Sequence, residues 1–221
     1  MLNSIQNTLT MNNSGTTFLL IDDHEVVRNG VKTLLTENYH PKFIHEASNG
    51  ETALALLKDH QYDLVLMDIQ MPGTDTFGLM EYINIKFPHI KVLIFSMNAE
   101  NIYAKRFLKA GAKGFVSKDA SMDEVLKAIN LVLSNRRYIS EQLIDILADE
   151  TRPGNNINPF EKLSTREFEI VRLLLAGETV SSISKLLNLQ VSTVGTHKAR
   201  LFQKLSITNI LELKELYESF H

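Results

Sequence analysis

Several short apolar runs of this chain end in residues suited to phosphoryl chemistry. Phe18-Leu19-Leu20-Ile21 leads into Asp22-Asp23, and Leu64-Val65-Leu66-Met67 into Asp68. Val92-Leu93-Ile94-Phe95 leads into Ser96, and Gly114-Phe115-Val116 into Ser117-Lys118. Three carboxylates, a hydroxyl and an ammonium can together hold a divalent cation and a transferable phosphoryl group. They are scattered over about a hundred positions of sequence, so the fold must bring them to one place. An open parallel sheet does this, because all its strands end on one edge and ligands bind along that edge where the strand order reverses.

The intervening segments fit such a sheet. Between Phe18 and about Asn135 the apolar runs alternate with stretches of helical period: Val26, Val27, Val31, Leu34, Leu35; Ala53, Leu54, Leu56, Leu57; Leu79, Met80, Tyr82, Ile83; Phe107, Leu108; and Val125, Leu126, Ile129, Val132, Leu133. Continuous apolar runs are expected of strands covered by helices on both faces. A further, weaker strand is expected around Lys42 to Ala47, completing five β-α units. Ser121-Met122-Asp123-Glu124 has the capping-box pattern and should open the fifth helix.

Beyond the sheet, Arg136 to Glu150 reads as a short helix. Thr151 to Pro159 holds two prolines, a glycine and three asparagines, the composition of a linker. The rest is helical in pattern. Ser164-Thr165-Arg166-Glu167 is another capping box, and Gly177 is a natural helix stop. A short helix through Ile183 and Leu186 is joined by a turn at Asn188-Leu189-Gln190 to a longer helix opening at Val191. Two helices so joined form a helix-turn-helix, whose second helix can enter a DNA major groove. Asn209 to Phe220 supplies a last amphipathic helix.

Composition narrows the classes. With no cysteine, disulfides, thiolate catalysis and zinc–thiolate sites are excluded. No apolar run approaches the roughly 18–20 residues of a membrane span. Met1 to Thr16 is polar, is expected to be a flexible tail and lacks the pattern of a secretory signal, so the cytoplasm is the expected location. The net charge of −3 divides into +1 from Pro159 onward and −4 before it. That asymmetry is too small to indicate nucleic acid, so DNA binding must rest on a local face.

The motifs, in their order and spacing, resemble those of two-component response regulators of the NarL/FixJ subfamily. Residues 17–136 are similar to a receiver domain through Ile21-Asp22-Asp23-His24, Met67-Asp68-Ile69-Gln70-Met71-Pro72-Gly73, Phe95-Ser96 and Ala110-Gly111-Ala112-Lys113-Gly114-Phe115-Val116-Ser117-Lys118. Residues 160–221 are similar to a LuxR-type DNA-binding domain through Leu163-Ser164-Thr165-Arg166-Glu167, Gly177, Ser192-Thr193-Val194, Thr196-His197, Arg200 and Lys204-Leu205. The expected fold is therefore an α/β doubly wound, five-stranded parallel sheet of flavodoxin-like type, a linker over 137–159, and a small all-α helix-turn-helix domain.

The resemblance implies a role for each residue. Asp68 would accept a phosphoryl group from a sensor histidine kinase, making the chain a phosphoryl acceptor rather than a turnover enzyme. Asp22, Asp23, Asp68 and the Gln70 carbonyl would hold Mg²⁺. Lys118 would pair with a phosphoryl oxygen, Ser96 would donate to the phosphoryl group, and Phe115 would be the switch aromatic. Ser192, Thr193, Thr196, His197, Lys198, Arg200 and Lys204 would face double-stranded DNA, in a homodimer reading two half-sites. Part of the last helix could supply the dimer surface.

Taken singly, Asp22 and Asp23 would cap a helix, Ser96 would be a loop hydroxyl, Phe115 core, and the basic residues a solvated face. His24 reads as structural, and His40, His45, His60, His89 and His221, which lack ligand spacing, as surface or structural residues, not a metal site. A stand-alone phosphotransfer enzyme would need a substrate pocket and a further base, and neither is visible. A constitutive regulator would not need the intact acidic set. Thr76 stands where the family usually has glycine, Phe77 at a leucine position, Gly195 where lysine or a polar residue is common, and Ile210 where arginine is frequent.

Overall fold

The computed structural model describes residues 15–97, 100–141, 143–145 and 158–220. Contacts divide the chain into two compact units. One comprises Met1–Asn98 with Gly111–Tyr138, and the other Ala99–Ala110 with Ile139–His221.

The first unit is built on strands β1 (Thr17–Ile21), β2 (Phe43–Ala47), β3 (Leu64–Met67), β4 (Lys91–Ser96) and β5 (Gly114–Ser117). They form one all-parallel sheet in the order β2-β1-β3-β4-β5. The order reverses at β1, so β1 and β3 flank the crevice that such sheets use for ligands. All four β3 residues are buried, as expected of a central strand covered on both faces. β2 lies on the sheet edge and is only partly buried except at Ala47, which is why its apolar pattern is weak.

One sheet face carries Phe18, Leu20, Leu66, Leu93, Phe95 and Val116. These pack with Val31, Leu35 and Tyr39 of α1 (Glu25–Tyr39) and Val125, Ala128, Ile129 and Val132 of α5 (Met122–Leu133). Helices α2 (Gly50–Asp59) and α3 (Thr76–Lys86) belong to the same unit, with Ala53, Leu57, Leu79, Met80 and Ile83 buried. Val26, part of the apolar set expected to face the core, is instead 84% exposed. On the edge, His45 Nδ1 meets the Tyr62 hydroxyl at 2.7 Å, and the His45 ring stacks on Phe43 and adjoins His60. Burial, then the charge of His60, holds the His45 imidazole below its usual pKa.

Ser121 caps α5 by accepting from the Glu124 N–H at 3.3 Å. The carboxylate of Glu124 instead accepts from the Tyr138 hydroxyl, so it is committed to a tertiary contact.

The second unit contains α4 (Glu100–Lys109), a 3₁₀ turn (Pro159–Lys162), α6 (Thr165–Leu175), α7 (Val180–Leu186), α8 (Val191–Leu205) and α9 (Ile210–Glu218). Ser164 and Glu167 make the full reciprocal capping box that opens α6. Gly177 closes it at φ +85°. Its N–H reaches Leu174 O at 3.1 Å, and that of Glu178 reaches Leu173 O at 2.9 Å, the double bond of a left-handed helix stop. Asn188, also left-handed at φ +51°, ends α7 in the same way and starts the turn into α8. Phe160, Phe168, Ile170, Val171, Ile183, Val194, Leu201, Leu205 and Leu213 are buried. Within this unit Arg106 of α4 lies 4.2 Å from the Phe168 ring centre and donates to the carbonyls of Leu163 and Phe160. The helix expected from Arg136 does not begin there: residues 136–140 are not helical, the Tyr138 N–H instead donates to the Lys113 carbonyl at 2.9 Å in a bridge beside β5, and helix is present at 141 and 143–145. The remainder of that stretch, residues 151–157 of the linker and 1–14 of the N-terminal tail lie outside the described residues.

Candidate functional site

The strand ends converge. Asp22 follows β1, Asp68 follows β3, Ser96 ends β4 and Lys118 follows β5. Lys118 Nζ lies 2.6 Å from Asp22 Oδ2 and 2.7 Å from Asp68 Oδ2, with all three side chains almost fully buried. Ser96 Oγ donates to Asp68 Oδ1 at 2.7 Å, and the Gln70 backbone N–H donates to the same oxygen at 3.1 Å. Asp68 thus has donors on both oxygens, arranged by three neighbouring strands. Burial pulls the Lys118 ammonium toward lower pKa. Its bonds and charge interactions with Asp22 and Asp68 more than offset this and hold it above its usual value.

Asp22, Asp23, His24 and Asp68 each bring a potential ligand atom within 4.8 Å of the others. Three carboxylates against one ammonium leave this cluster two charges short of neutral. Asp23 Oδ1 is buried and accepts no hydrogen bond, although the His24 ring nitrogen comes within 2.8 Å of it. A hard divalent cation with oxygen ligands answers both needs. His24, read as structural from the sequence, joins this cluster. Arg28 was not anticipated at all. Its Nη1 donates to the Asp22 carbonyl at 2.6 Å, and its chain position, one turn into α1, carries no motif.

The loop after Asp68 departs from the family pattern in an ordered way. Thr76 is 1% exposed, and its hydroxyl donates to the Ile69 carbonyl at 3.0 Å. Thr74 Oγ1 accepts from the Gly50 N–H at 3.0 Å, and Phe77 is buried. Phe115 is fully buried on β5, opposite Ile94 of β4. Ser117 Oγ accepts from the Asp119 N–H at 3.2 Å.

In the helical unit, α8 buries Val194, Leu201 and Leu205 and turns Ser192, Thr196, Ala199 and Arg200 outward. Thr193, His197 and Lys198 are half-buried. His197 Nδ1 is enclosed without a hydrogen-bond partner, and Lys198 Nζ lies 5.4 Å from the Phe202 ring centre. Thr196 Oγ1 donates back to the Ser192 carbonyl at 3.0 Å. Lys204 is engaged internally, its Nζ 2.6 Å from Glu167 Oε2, which fastens α8 to α6. Burial pushes the Glu167 carboxyl up, but Lys204 and the bonds from Ser164 outweigh it and hold the group below the usual range. On α9, Leu213 is buried, while Ile210 and Leu211 are 42% and 66% exposed.

The doubly wound parallel sheet with an acidic strand-end cluster, followed by a helix-turn-helix, defines a two-part signalling protein. The response regulator receiver domain model matches residues 18–130, and the model for bacterial regulatory proteins of the luxR family matches 161–216. The chain belongs to the response regulators that join a receiver to a LuxR-type DNA-binding domain. It is 36% identical over 199 residues to response regulator UvrY of Escherichia coli K12, covering 90% of this chain and 91% of that protein. With response regulator GacA of Pseudomonas aeruginosa it shares 36% over 196 residues, 88% and 92% of the two chains. Its fold is similar to that of RcsB from Salmonella enterica serovar Typhimurium, solved bound to promoter rprA in the presence of phosphomimetic BeF3-. The TM-score is 0.75 at 23% identity, covering 91% and 98% of the two chains. Among the described residues, no helix is long and apolar enough to cross a membrane.

Proposed function

We propose that Asp68 accepts a phosphoryl group from a sensor histidine kinase, and that its phosphorylation controls promoter binding by a homodimer through α8. The observation that carries this is the convergence on Asp68 of Lys118 and Ser96 from the two strands beyond it, beside Asp22 and Asp23. An Asp68 oxygen attacks phosphorus, the bond to the kinase imidazole breaks, and that imidazole leaves with the electron pair. A carboxylate approaching a phosphoryl group meets like charge, so fixed positive charge is required. Lys118 is held at the site already charged and exchanges a carboxylate partner for a phosphoryl oxygen. Ser96 exchanges Asp68 Oδ1 for another phosphoryl oxygen. Asp22, Asp23, Asp68 and the Gln70 carbonyl would hold Mg²⁺, which supplies further charge neutralisation when bound.

That exchange shifts Ser96 and the end of β4 with it, and the buried Phe115 ring on the adjoining strand repacks. Such a local event is a source of a two-state change in surface. On DNA, Arg200 and Lys198 would neutralise phosphates, while Ser192, Thr193 and Thr196 stand nearest the groove. His197 supports the helix from its inner side, and the exposed Ile210 and Leu211 suit a dimer contact.

The test is incubation of the full chain with acetyl phosphate and Mg²⁺. A mass gain of about 80 Da, lost in Asp68→Asn, is expected. Unmodified wild-type protein under those conditions would sink the phosphoacceptor role.

A further inference from the structure

Helix α8 contains a glycine that its own fold does not require. Gly195 is an interior residue of a 15-residue helix. Its φ is not left-handed, and a Cβ built there meets nothing within 4 Å. Any side chain would fit, yet glycine is among the poorest helix formers. Other glycines are explained inside the protein. A Cβ at Gly50 would come within 2.7 Å of Thr74, and one at Gly114 within 2.9 Å of Leu93 and Tyr138.

Openness alone is not diagnostic, because Gly30 of α1 is equally open. What distinguishes Gly195 is its place on the second helix of the helix-turn-helix, flanked by exposed Val191, Ser192, Thr196 and Ala199. None of these side chains is longer than valine. Thr196 turns its hydroxyl back onto Ser192, and Lys198 lies near Phe202. Within one turn of Gly195 this flank exposes no long side chain that could reach a base edge from a distance, and Arg200, next on this face, is assigned above to phosphate. It can read bases only if the helix itself comes close, and a residue without a side chain permits that approach.

We propose that Gly195 is a positioning residue for DNA. Its missing side chain lets α8 seat deeper in the major groove, so that Val191, Thr196 and Ala199 touch base edges, with thymine methyl groups the natural target for such apolar contacts. This inference rests on the DNA-binding reading of α8 given above.

The test uses the full chain, with and without acetyl phosphate and Mg²⁺. The probe is the duplex that wild type selects most tightly from a randomised pool. Gly195→Ala should slow amide exchange along α8 and raise its melting temperature by about 2–4 °C, while weakening binding to that duplex roughly tenfold or more. Gly195→Lys should also bind more weakly despite its added positive charge. Gly30→Ala should be stabilised similarly and keep wild-type affinity. Equal or tighter binding by Gly195→Ala or Gly195→Lys would overturn the inference, as would faster exchange along α8 in Gly195→Ala. If wild type selects no duplex in either condition, the DNA reading of α8 itself fails, a result separable from failure at Gly195 alone.

Discussion

Lys118 and Asp68 meet at 2.7 Å although their strands are not neighbours: β4 lies between β3 and β5. The long lysine side chain reaches past the end of β4, where Ser96 takes the other oxygen of Asp68. The same ammonium also holds Asp22 across on β1. The site is therefore tied together before any phosphoryl group arrives, and its remaining need is for positive charge.

Binding of Mg²⁺ should meet that need and stabilise the first unit. A ligand at ten times its dissociation constant adds about 1.4 kcal/mol, or a melting shift of about 3–6 °C in a chain of this size. EDTA should reverse the shift and Asp23→Asn should remove most of it. A thermal melt unchanged by millimolar Mg²⁺ would contradict the metal reading.

Ser96→Ala should cost about 2 kcal/mol in urea unfolding, because a buried hydroxyl bond to a charged acceptor is lost. Asp68 Oδ1 would keep the Gln70 N–H, so the fold should survive. Phosphorylation should still occur in this variant, but the change in dimerisation or DNA affinity that follows it should be blunted. A full response to acetyl phosphate would argue against Ser96 as the coupling group.

Thr76→Val keeps the shape of the side chain and removes the hydroxyl's bond to the Ile69 carbonyl. A loss of about 1 kcal/mol is expected, with slower acceptance of phosphate by Asp68 as the loop loosens. Unchanged unfolding midpoints and phosphorylation rates would show that the hydroxyl is dispensable.

The helical unit should lose stability in acid through Glu167. Its carboxyl is held below the ordinary value of 4.5, so it binds protons less readily folded than unfolded. Its contribution is therefore complete above about 4.5 and is lost as pH falls through the lower folded value. Lys204→Met removes the principal partner, so the same loss should begin at higher pH. Circular dichroism melts of both proteins between pH 3 and about 7 test this, and identical profiles would refute it.

Much of the fold and receiver site is written in local pattern. Buried central strands leave continuous apolar runs, and parallel topology sends their ends to one edge, so Asp22, Asp68, Ser96 and Lys118 could be brought together from sequence alone. The edge strand β2 was fainter because partial burial relaxes its pattern. Val26 matched the helical period but lies toward solvent, since periodicity identifies a face only to within one residue.

Residue types and order therefore determined the receiver and helix-turn-helix patterns and the acidic strand-end cluster. The tertiary structure alone decided which charges are already matched. It commits Lys204 to Glu167, Glu124 to Tyr138 and Arg28 to the Asp22 carbonyl, and it draws His24 into the acidic cluster. It also exposes Gly195 as a glycine with no role inside the chain. Such pairings depend on distances of a few ångströms between elements far apart in sequence. Local propensity and hydrophobic period do not encode them, because each arises from how neighbouring elements happen to pack.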